Sequence, residues 1–291
     1  MTDGVLRAND YDGYTTSLCE RAQLTLLKCA GPWGDRIYLT GGLVPRYLIS
    51  ELPRYARPHV GTTDVDLVVG VAVVEEGAEP YATLVKNMTI AGFRLYKDAA
   101  GEGASFRWCI EVDGKTVIIE FLTEQGGEPG TITRPRQGTG AKLGAFEVRG
   151  ARLVALDFVE REIQGVIADG NESFGTIRVA NLLPFITLKA FAMHDRGAVK
   201  YKDAYDIVFT LSNWSGGPAA AAATARTSPV FAEPIVAEAL DLLARHFAHE
   251  GMDGPGQYSG FLFDEHQDEE DERDRLRLEA VSVVQAFMSG L

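Results

Sequence analysis

Apolar positions follow two different spacings in the two parts of the chain. Up to about residue 165, short apolar runs with alternating polar positions, typical of strands, separate stretches with helical periodicity. From Leu182 onwards apolar residues recur at helical spacing. The pattern predicts two domains, an α/β domain over residues 1–165 and a mainly helical domain over residues 166–291.

Breaks at glycine and proline residues divide each domain into elements. In the first domain, helices are predicted over 15–30, from Gly42 to about 51, and over 80–91, with strands over 36–40, 65–71, 93–96, 105–112 and 115–122. Asp113-Gly114 predicts a tight hairpin between the last two strands. In the second domain, a strand is predicted over 177–180 and helices over 182–193, 201–213, 229–249 and 269–288.

Charge limits the classes of partner. The chain of 291 residues has 41 acidic and 28 basic residues, a formal net charge of −13. Such a surface repels a polyanion on average, which argues against broad, non-specific nucleic-acid binding. A local basic patch is compatible with this balance, and Arg134, Arg136 and Lys142 in a glycine-rich segment are the candidates.

Cysteine content and hydropathy indicate the compartment. Three cysteines, far apart and odd in number, favour reduced thiols rather than a disulfide framework. The N-terminus lacks the features of a signal peptide, and no apolar run reaches the roughly 18 residues needed to span a bilayer. We therefore expect a cytoplasmic protein with no membrane partner.

Asp64 and Asp66 are the strongest chemical signal in the sequence. Side chains alternate faces along a strand, so the two carboxylates point the same way while Val65 and Leu67 point into the core. Magnesium in proteins is commonly held by one or two carboxylates, with water and substrate phosphates completing its shell. The pair is a candidate magnesium site.

Two further features extend this candidate site. A turn at Gly41-Gly42, between a strand and a helix, would let backbone amides approach an anion, although such a turn is also a common structural device. Glu120 is a charged residue after an apolar strand run, and a carboxylate there is costly unless it is paired or bound to metal. Glu120 is thus a candidate third ligand, and an exposed strand end explains it almost as well.

These motifs resemble those of nucleotidyltransferases related to DNA polymerase beta, whose fold is a mixed sheet flanked by helices. A helix carrying Lys189 and Arg196, followed by Lys202-Asp203-x-x-Asp206, is similar to the AbiEii-type family, which includes toxins of type IV toxin–antitoxin systems. The resemblance covers roughly residues 36–211. It implies an α+β fold, with the nucleotidyltransferase-like sheet followed by a helical C-terminal domain.

The resemblance assigns a role to each matching residue. It implies that Gly41, Gly42 and Thr62 contact a nucleoside triphosphate and that Lys189 reaches its phosphates. Lys202 and Asp203 would either assist nucleotide binding or only support the helix pair. Catalytic roles are implied for Asp64, Asp66, Lys189 and Asp206, and magnesium would be held by Asp64, Asp66 and Glu120. The chain departs from the pattern at Thr40, where many relatives have lysine. Lys189 and Arg196 also share one helix face, and a solvated polar stripe is the less favoured alternative explanation.

The implied reaction is magnesium-dependent transfer of a nucleoside monophosphate from a triphosphate to an acceptor hydroxyl, with release of pyrophosphate. The acceptor would be the 3′ end of a transfer RNA, a protein side chain or a small molecule such as an antibiotic, and an antitoxin would be a partner. The alternative is a non-catalytic nucleotide-binding protein that acts through a partner.

Two other motifs carry less chemistry. The segment from Gly138 to Gly144 lacks the spacing of a Walker phosphate loop and is predicted to be a flexible loop. His246 and His249 lie three residues apart on a predicted helix, but no nearby cysteine or further histidine completes a zinc site. They are predicted to be surface residues.

Overall fold

The computed structural model describes residues 6–54, 56–69, 78–133, 143–197, 200–263 and 270–291, with the side chains of residue 32 and residues 78–82 left aside. The chain divides into two compact units. The sheet unit comprises Asp12–Val44 and Gly61–Ala180, and the helical unit comprises Met1–Tyr11, Pro45–Val60 and Asn181–Leu291. The protein is of mixed α and β structure, with an open mixed sheet flanked by helices.

The sheet unit contains all nine strands of the described residues and three helices. Its strands are β1 (Ile37–Thr40), β2 (Asp64–Val69), β3 (Arg94–Leu95), β4 (Arg107–Val112), β5 (Lys115–Thr123), β6 (Ile132–Thr133), β7 (Ala145–Glu147), β8 (Phe158–Val166) and β9 (Glu172–Ala180). Its helices are α1 (Gly13–Ala30), α3 (Ala78–Ile90) and α4 (Arg152–Leu156), and the short helix α2 (Val44–Leu48) follows a 3-10 turn at Gly41–Leu43.

The strand order in the sheet is β3-β4-β5-β2-β1-β9-β8, with β7 pairing with β5 and β6. β2 runs antiparallel to β1 and parallel to β5, and β1 runs parallel to β9. β2 is therefore central. Asp66 has strand neighbours on both sides, Thr40 and Glu120, whereas the register pairs Asp64 with Ile118 of β5. The neighbouring strands β1 and β5 therefore determine which residues lie beside the aspartates.

Helix α1 covers the buried face of this sheet. Asp12 caps it by accepting a hydrogen bond from the backbone N–H of Thr15, and Gly31 ends it in the left-handed region at φ 57°. Its apolar face packs on β2, β4, β5, β8 and β9, and Leu18, Ala22 and Leu26 are fully buried. The helix predicted over 15–30 is confirmed.

The helical unit contains α5 (Leu182–Arg196), α6 (Lys202–Asn213), α7 (Gly217–Arg226), α8 (Pro234–His246), α9 (Asp253–Leu262) and α10 (Glu270–Ser289). α5 packs on α6 and α8, while α10 packs on α7 and α9. Asn181 caps α5, as a helix starting at Leu182 requires. No helix among the described residues is long and apolar enough to cross a membrane.

Several elements differ from the sequence-based expectation. The boundary predicted at residue 165 falls inside β8. This strand was not predicted because its apolar residues do not alternate regularly with polar ones, and its hairpin with β9 extends the sheet unit to Ala180. The helix predicted over 229–249 is shorter, and α9 was missed because Gly254, Pro255 and Gly256 in its first turn are typical of loops. The helix predicted to run to about residue 51 ends at Leu48.

Candidate functional site

Asp64 and Asp66 lie on one face of β2, as the alternation predicted. Both are partly exposed, whereas Val65 and Leu67 between and beyond them are buried at 0% and 1% exposure. Asp66 pairs with Thr40 of β1 on one side and with Glu120 of β5 on the other. The Asp pair thus lies beside the glycine turn that follows β1.

Gly41 and Asp66 are in direct contact. Gly41 has φ +71°, and a Cβ atom built there would lie 1.9 Å from Oδ2 of Asp66. Only glycine fits this position, because both the left-handed backbone and the approaching carboxylate exclude a side chain. Gly42 is buried in the 3-10 turn that begins at Gly41. The turn and the Asp pair therefore form one local structure, although they are well separated in the sequence.

Thr62 orients Asp64. Its hydroxyl donates to Oδ1 of Asp64 at 2.9 Å, and its side chain is buried, so it contacts the aspartate rather than lying open to a ligand. Its backbone N–H donates to the hydroxyl of Thr16 on α1, and a Cβ at Gly61 would lie 1.8 Å from that same hydroxyl oxygen. Thr16 therefore holds the backbone that leads into β2 in place, and this role was not predicted from the sequence.

The carboxylates affect a neighbouring thiol. Cys19 of α1 is fully buried, and burial together with the charges of Asp64, Glu20 and Asp66 raises the pKa of its thiol to about 12. The thiol stays protonated at neutral pH, so Cys19 is a core residue and not a nucleophile. The negative charge of the Asp pair that opposes thiolate formation here is the charge that a divalent cation would offset.

Glu120 points to the same side of the sheet as Asp66, but it has another partner. Nε of Arg107 on β4 donates to Oε1 of Glu120 at 2.6 Å. No group of three or more His, Cys, Asp or Glu side chains among the described residues is arranged to hold a metal ion. Asp64 and Asp66 remain the candidate carboxylates, since magnesium accepts one or two carboxylates when water and phosphate complete its shell.

The remaining predicted site residues form a buried charge cluster in the helical unit. Nζ of Lys189 on α5 lies 2.8 Å from Oδ1 of Asp203 and 2.6 Å from Oδ2 of Asp206 on α6. Nζ of Lys202 donates to both oxygens of Asp206 at 2.7 and 3.0 Å. Both aspartates are fully buried. The solvated-stripe interpretation of Lys189 is therefore wrong, because its ammonium is buried between two carboxylates.

His59 completes this cluster and was missed from the sequence. Its Nε2 lies 2.8 Å from Oδ1 of Asp206, and its ring stacks on Tyr205 and meets Phe209 edge-on. Burial, the positive charge of Lys202 and that of Lys189 outweigh the pull of Asp206 and lower the pKa of His59 to about 4. His59 is neutral at pH 7 and donates to Asp206. No local pattern marks it, since it is 147 residues from its partner.

Neighbouring charges in the cluster shift the pKa values of one another's side chains. Burial alone would raise the pKa of Asp206, but Lys189, Lys202 and the His59 hydrogen bond hold it far below its usual value. Burial opposes the charged form of Lys189, and Asp203 and Asp206 outweigh it and raise the pKa of Lys189. Arg196, half exposed, adds a hydrogen bond from Nη1 to Oδ2 of Asp203 at 3.2 Å. The two aspartates stay ionised over the whole physiological range.

The predicted site residues are thus gathered in two places. Gly41, Gly42, Thr62, Asp64, Asp66 and Glu120 belong to the sheet unit, while Lys189, Lys202 and Asp206 belong to the helical unit. Convergence of the two sets on one nucleotide stays a prediction. The proposed basic patch of Arg134, Arg136 and Lys142 and most of the segment from Gly138 to Gly144 lie outside the described residues.

Comparisons of the chain with protein-family models, with curated proteins and with solved structures found no match. The function is therefore inferred from the chemistry of these residues.

Proposed function

We propose that this protein is a magnesium-dependent nucleotidyltransferase of the toxin-like kind, built on a nucleotidyltransferase-like fold. The observation that carries the proposal is the contact between the turn at Gly41 and the Asp64–Asp66 pair. Two carboxylates on one strand face, beside a turn in which only glycine fits, are a suitable arrangement for a cation-bound triphosphate. A nucleoside triphosphate is the proposed substrate, and a transfer RNA end or a protein hydroxyl is the proposed acceptor.

Asp64 and Asp66 would hold magnesium, whose bound form would supply charge neutralisation for the phosphates. Thr62 keeps the Asp64 carboxylate in one orientation through its hydroxyl, and Gly41 leaves the space that Asp66 fills. The backbone of the turn would contact the phosphates next to the Asp66 carboxylate, which occupies the space that a side chain at residue 41 would need. α2 has only five residues, so the dipole of that helix adds little to anion binding.

A direct nucleotide contact has less support for the charged residues of the helical unit, which are Lys189, Lys202 and Asp206. Their charges are engaged with one another and with Asp203 and His59, so a phosphate would have to displace a carboxylate to reach Lys189. Their first role is to fix α5 against α6. A contact of Lys189 with the nucleotide remains part of the proposal through the resemblance alone.

The test is transfer of label from each α-labelled nucleoside triphosphate, with magnesium, into total RNA, into protein or into neither. We expect label in one acceptor class, and a loss of at least about a hundredfold in Asp64→Asn and Asp66→Asn, the range seen when groups that act in the chemical step are removed. Glu162→Gln, an exposed change on β8 of the same sheet, is the matched control and should keep the activity. Unchanged turnover in Asp64→Asn would refute the proposal.

A second candidate is a nucleotide-binding protein without transferase activity. It is favoured by one observation, the ion pair between Glu120 and Arg107, which engages the third predicted carboxylate. Binding of a triphosphate measured by calorimetry, with no label entering any acceptor, would support this second candidate. Loss of that binding in Asp66→Asn would locate it at the same residues.

A further inference from the structure

A histidine pair in the helical unit is independent of the residues discussed so far. His194 lies in the last turn of α5 and His246 in the last turn of α8, two helices that pack together. Nδ1 of His194 and Nε2 of His246 are 2.9 Å apart. His249 lies three residues from His246 in the sequence, but its Nδ1 accepts a hydrogen bond from the backbone N–H of Gly251.

The separation of the two nitrogens suits one shared metal ion. Two metal–nitrogen bonds of about 2.0–2.1 Å place their nitrogens about 2.9 Å apart at a right angle and about 3.3 Å apart at a tetrahedral angle. The observed distance of 2.9 Å equals the right-angle value, and a small side-chain movement would bring it to the tetrahedral value. His194 is exposed at the surface, so water can reach the pair and fill the remaining coordination positions.

The electrostatics at this place favour a cation. Both histidines lie at helix C-termini, where the partial negative charge of the unpaired carbonyls attracts positive charge. Oδ2 of Asp253 is 3.7 Å from Nδ1 of His246, on the ring side opposite the paired nitrogen. A carboxylate behind a histidine favours the tautomer whose other nitrogen has a lone pair available for a metal.

We propose that Nδ1 of His194 and Nε2 of His246 form a surface site for a divalent transition metal of the Ni²⁺, Cu²⁺ and Zn²⁺ group. These are the ions that imidazole ligands prefer, whereas magnesium prefers oxygen. On binding, the proton on Nδ1 of His194 moves to Nε2 of the same ring. Nδ1 of His194 and Nε2 of His246 then both present lone pairs to the metal, which lies off the line that joins them because each bond is about 2.0–2.1 Å long. The proposed site has only two protein ligands. It is therefore compatible with the finding that the described residues contain no metal-binding group of three or more His, Cys, Asp or Glu side chains.

The experiment is calorimetric titration of the untagged full-length chain with NiCl₂ and CuCl₂ at neutral pH. Wild type should bind one ion per chain with micromolar affinity. His194→Asn and His246→Gln keep a hydrogen-bonding group near the ring nitrogen but supply no imidazole, and each should weaken binding at least about tenfold. His249→Ala is the matched control from the same region, and His266→Ala tests the histidine whose position the structure does not describe.

Electron paramagnetic resonance of the Cu²⁺ complex gives a second readout. Nitrogen hyperfine splitting should indicate two imidazole ligands in wild type and one in either variant, provided that melting curves show the variants to be folded. Wild-type affinity in His194→Asn or His246→Gln, loss of binding in His249→Ala or His266→Ala instead, or no binding by wild type would each overturn the proposal.

Discussion

The two groups of predicted site residues differ in how their charges are satisfied. In the sheet unit, Asp64 is oriented by a neutral hydroxyl and Asp66 lies against the backbone of a glycine, and both carboxylates are partly exposed. In the helical unit, Asp206 is fully buried between Lys189 and Lys202. The first arrangement places two carboxylates on one partly exposed strand face, and the second buries two carboxylates among lysine counter-charges.

This difference indicates different roles. A buried ion cluster gains little net stability over an apolar core, but the loss of one member leaves uncompensated charge at large cost. Removal of a carboxylate from an acidic pair relieves repulsion and costs stability little. Substitutions in the helical unit should therefore affect folding first, and substitutions of the Asp pair should affect function first.

The largest effect is expected at Asp206. Asp206→Asn keeps the shape of the side chain but removes the only carboxylate within hydrogen-bonding distance of Lys202 among the described residues. We expect a loss of about 3–5 kcal/mol in the free energy of unfolding, measured by urea denaturation. Glu111→Gln, which breaks the exposed pair with Arg94, is the control and should cost less than about 1 kcal/mol. Equal costs would mean that the buried cluster does not support the fold.

The second effect is a pH dependence that comes from His59. Lys202, Lys189 and Asp206 face its ring, Tyr205 stacks on it, and its pKa is about 4 in the folded state against an ordinary value of 6.5. Because the folded state binds the proton less well, stability falls as the pH drops from about 6.5 towards 4 and is unaffected above 6.5. The full loss corresponds to about 3 kcal/mol.

The measurement is urea denaturation of wild type and His59→Gln at several pH values between 7 and 4.5. The glutamine can still donate to Asp206 but does not titrate, so the carboxylates common to both proteins cancel in the difference. Wild type should lose more stability than the variant over this interval. Parallel pH profiles would show that His59 is not held neutral by its surroundings.

Local sequence patterns predicted one group of residues better than the other. The alternation around Asp64, Val65, Asp66 and Leu67 predicted both the strand and the shared face, because side-chain direction in a strand follows from chain geometry alone. The contact between Asp66 and Gly41 depends on antiparallel pairing of β1 with β2, which no local pattern specifies. The residues were identified from sequence, but their contact was not.

Long-range partners explain the residues that were missed or misread. His59 meets Asp206 across 147 positions, and Lys189 was compatible with a solvated stripe until α6 placed two carboxylates beside it. The Lys202–Asp206 pair, by contrast, is four residues apart on one helix, where neighbouring side chains meet by geometry. β8 was not predicted because its apolar residues do not follow the regular alternation on which strand prediction depends.

A smaller effect on stability is expected at Gly41. In Gly41→Ala, the new Cβ would overlap Oδ2 of Asp66 in addition to adopting an unfavourable positive φ. Gly114 has a similar φ of +75°, and no atom lies within 4 Å of the place that a Cβ would occupy there, so Gly114→Ala isolates the backbone cost. Gly41→Ala should be less stable than Gly114→Ala by about 1–3 kcal/mol and should lose triphosphate binding, which calorimetry measures. Equal stability and equal triphosphate binding in the two variants would show that the contact between Gly41 and Asp66 supports neither the fold nor nucleotide binding.

The smallest effect on stability is expected at Glu120, where function and fold can be distinguished. Its ion pair with Arg107 is partly exposed, with 19% of the Glu120 side chain and 45% of the Arg107 side chain accessible, so Glu120→Gln should change the free energy of unfolding by less than about 1 kcal/mol. If the carboxylate serves only Arg107, nucleotide transfer should also persist in Glu120→Gln and in Arg107→Gln. If Glu120 leaves Arg107 to hold magnesium during turnover, Glu120→Gln should abolish transfer while Arg107→Gln keeps it. Transfer rates of the two variants, with their melting temperatures as the folding control, decide whether the sheet unit contributes two carboxylates or three.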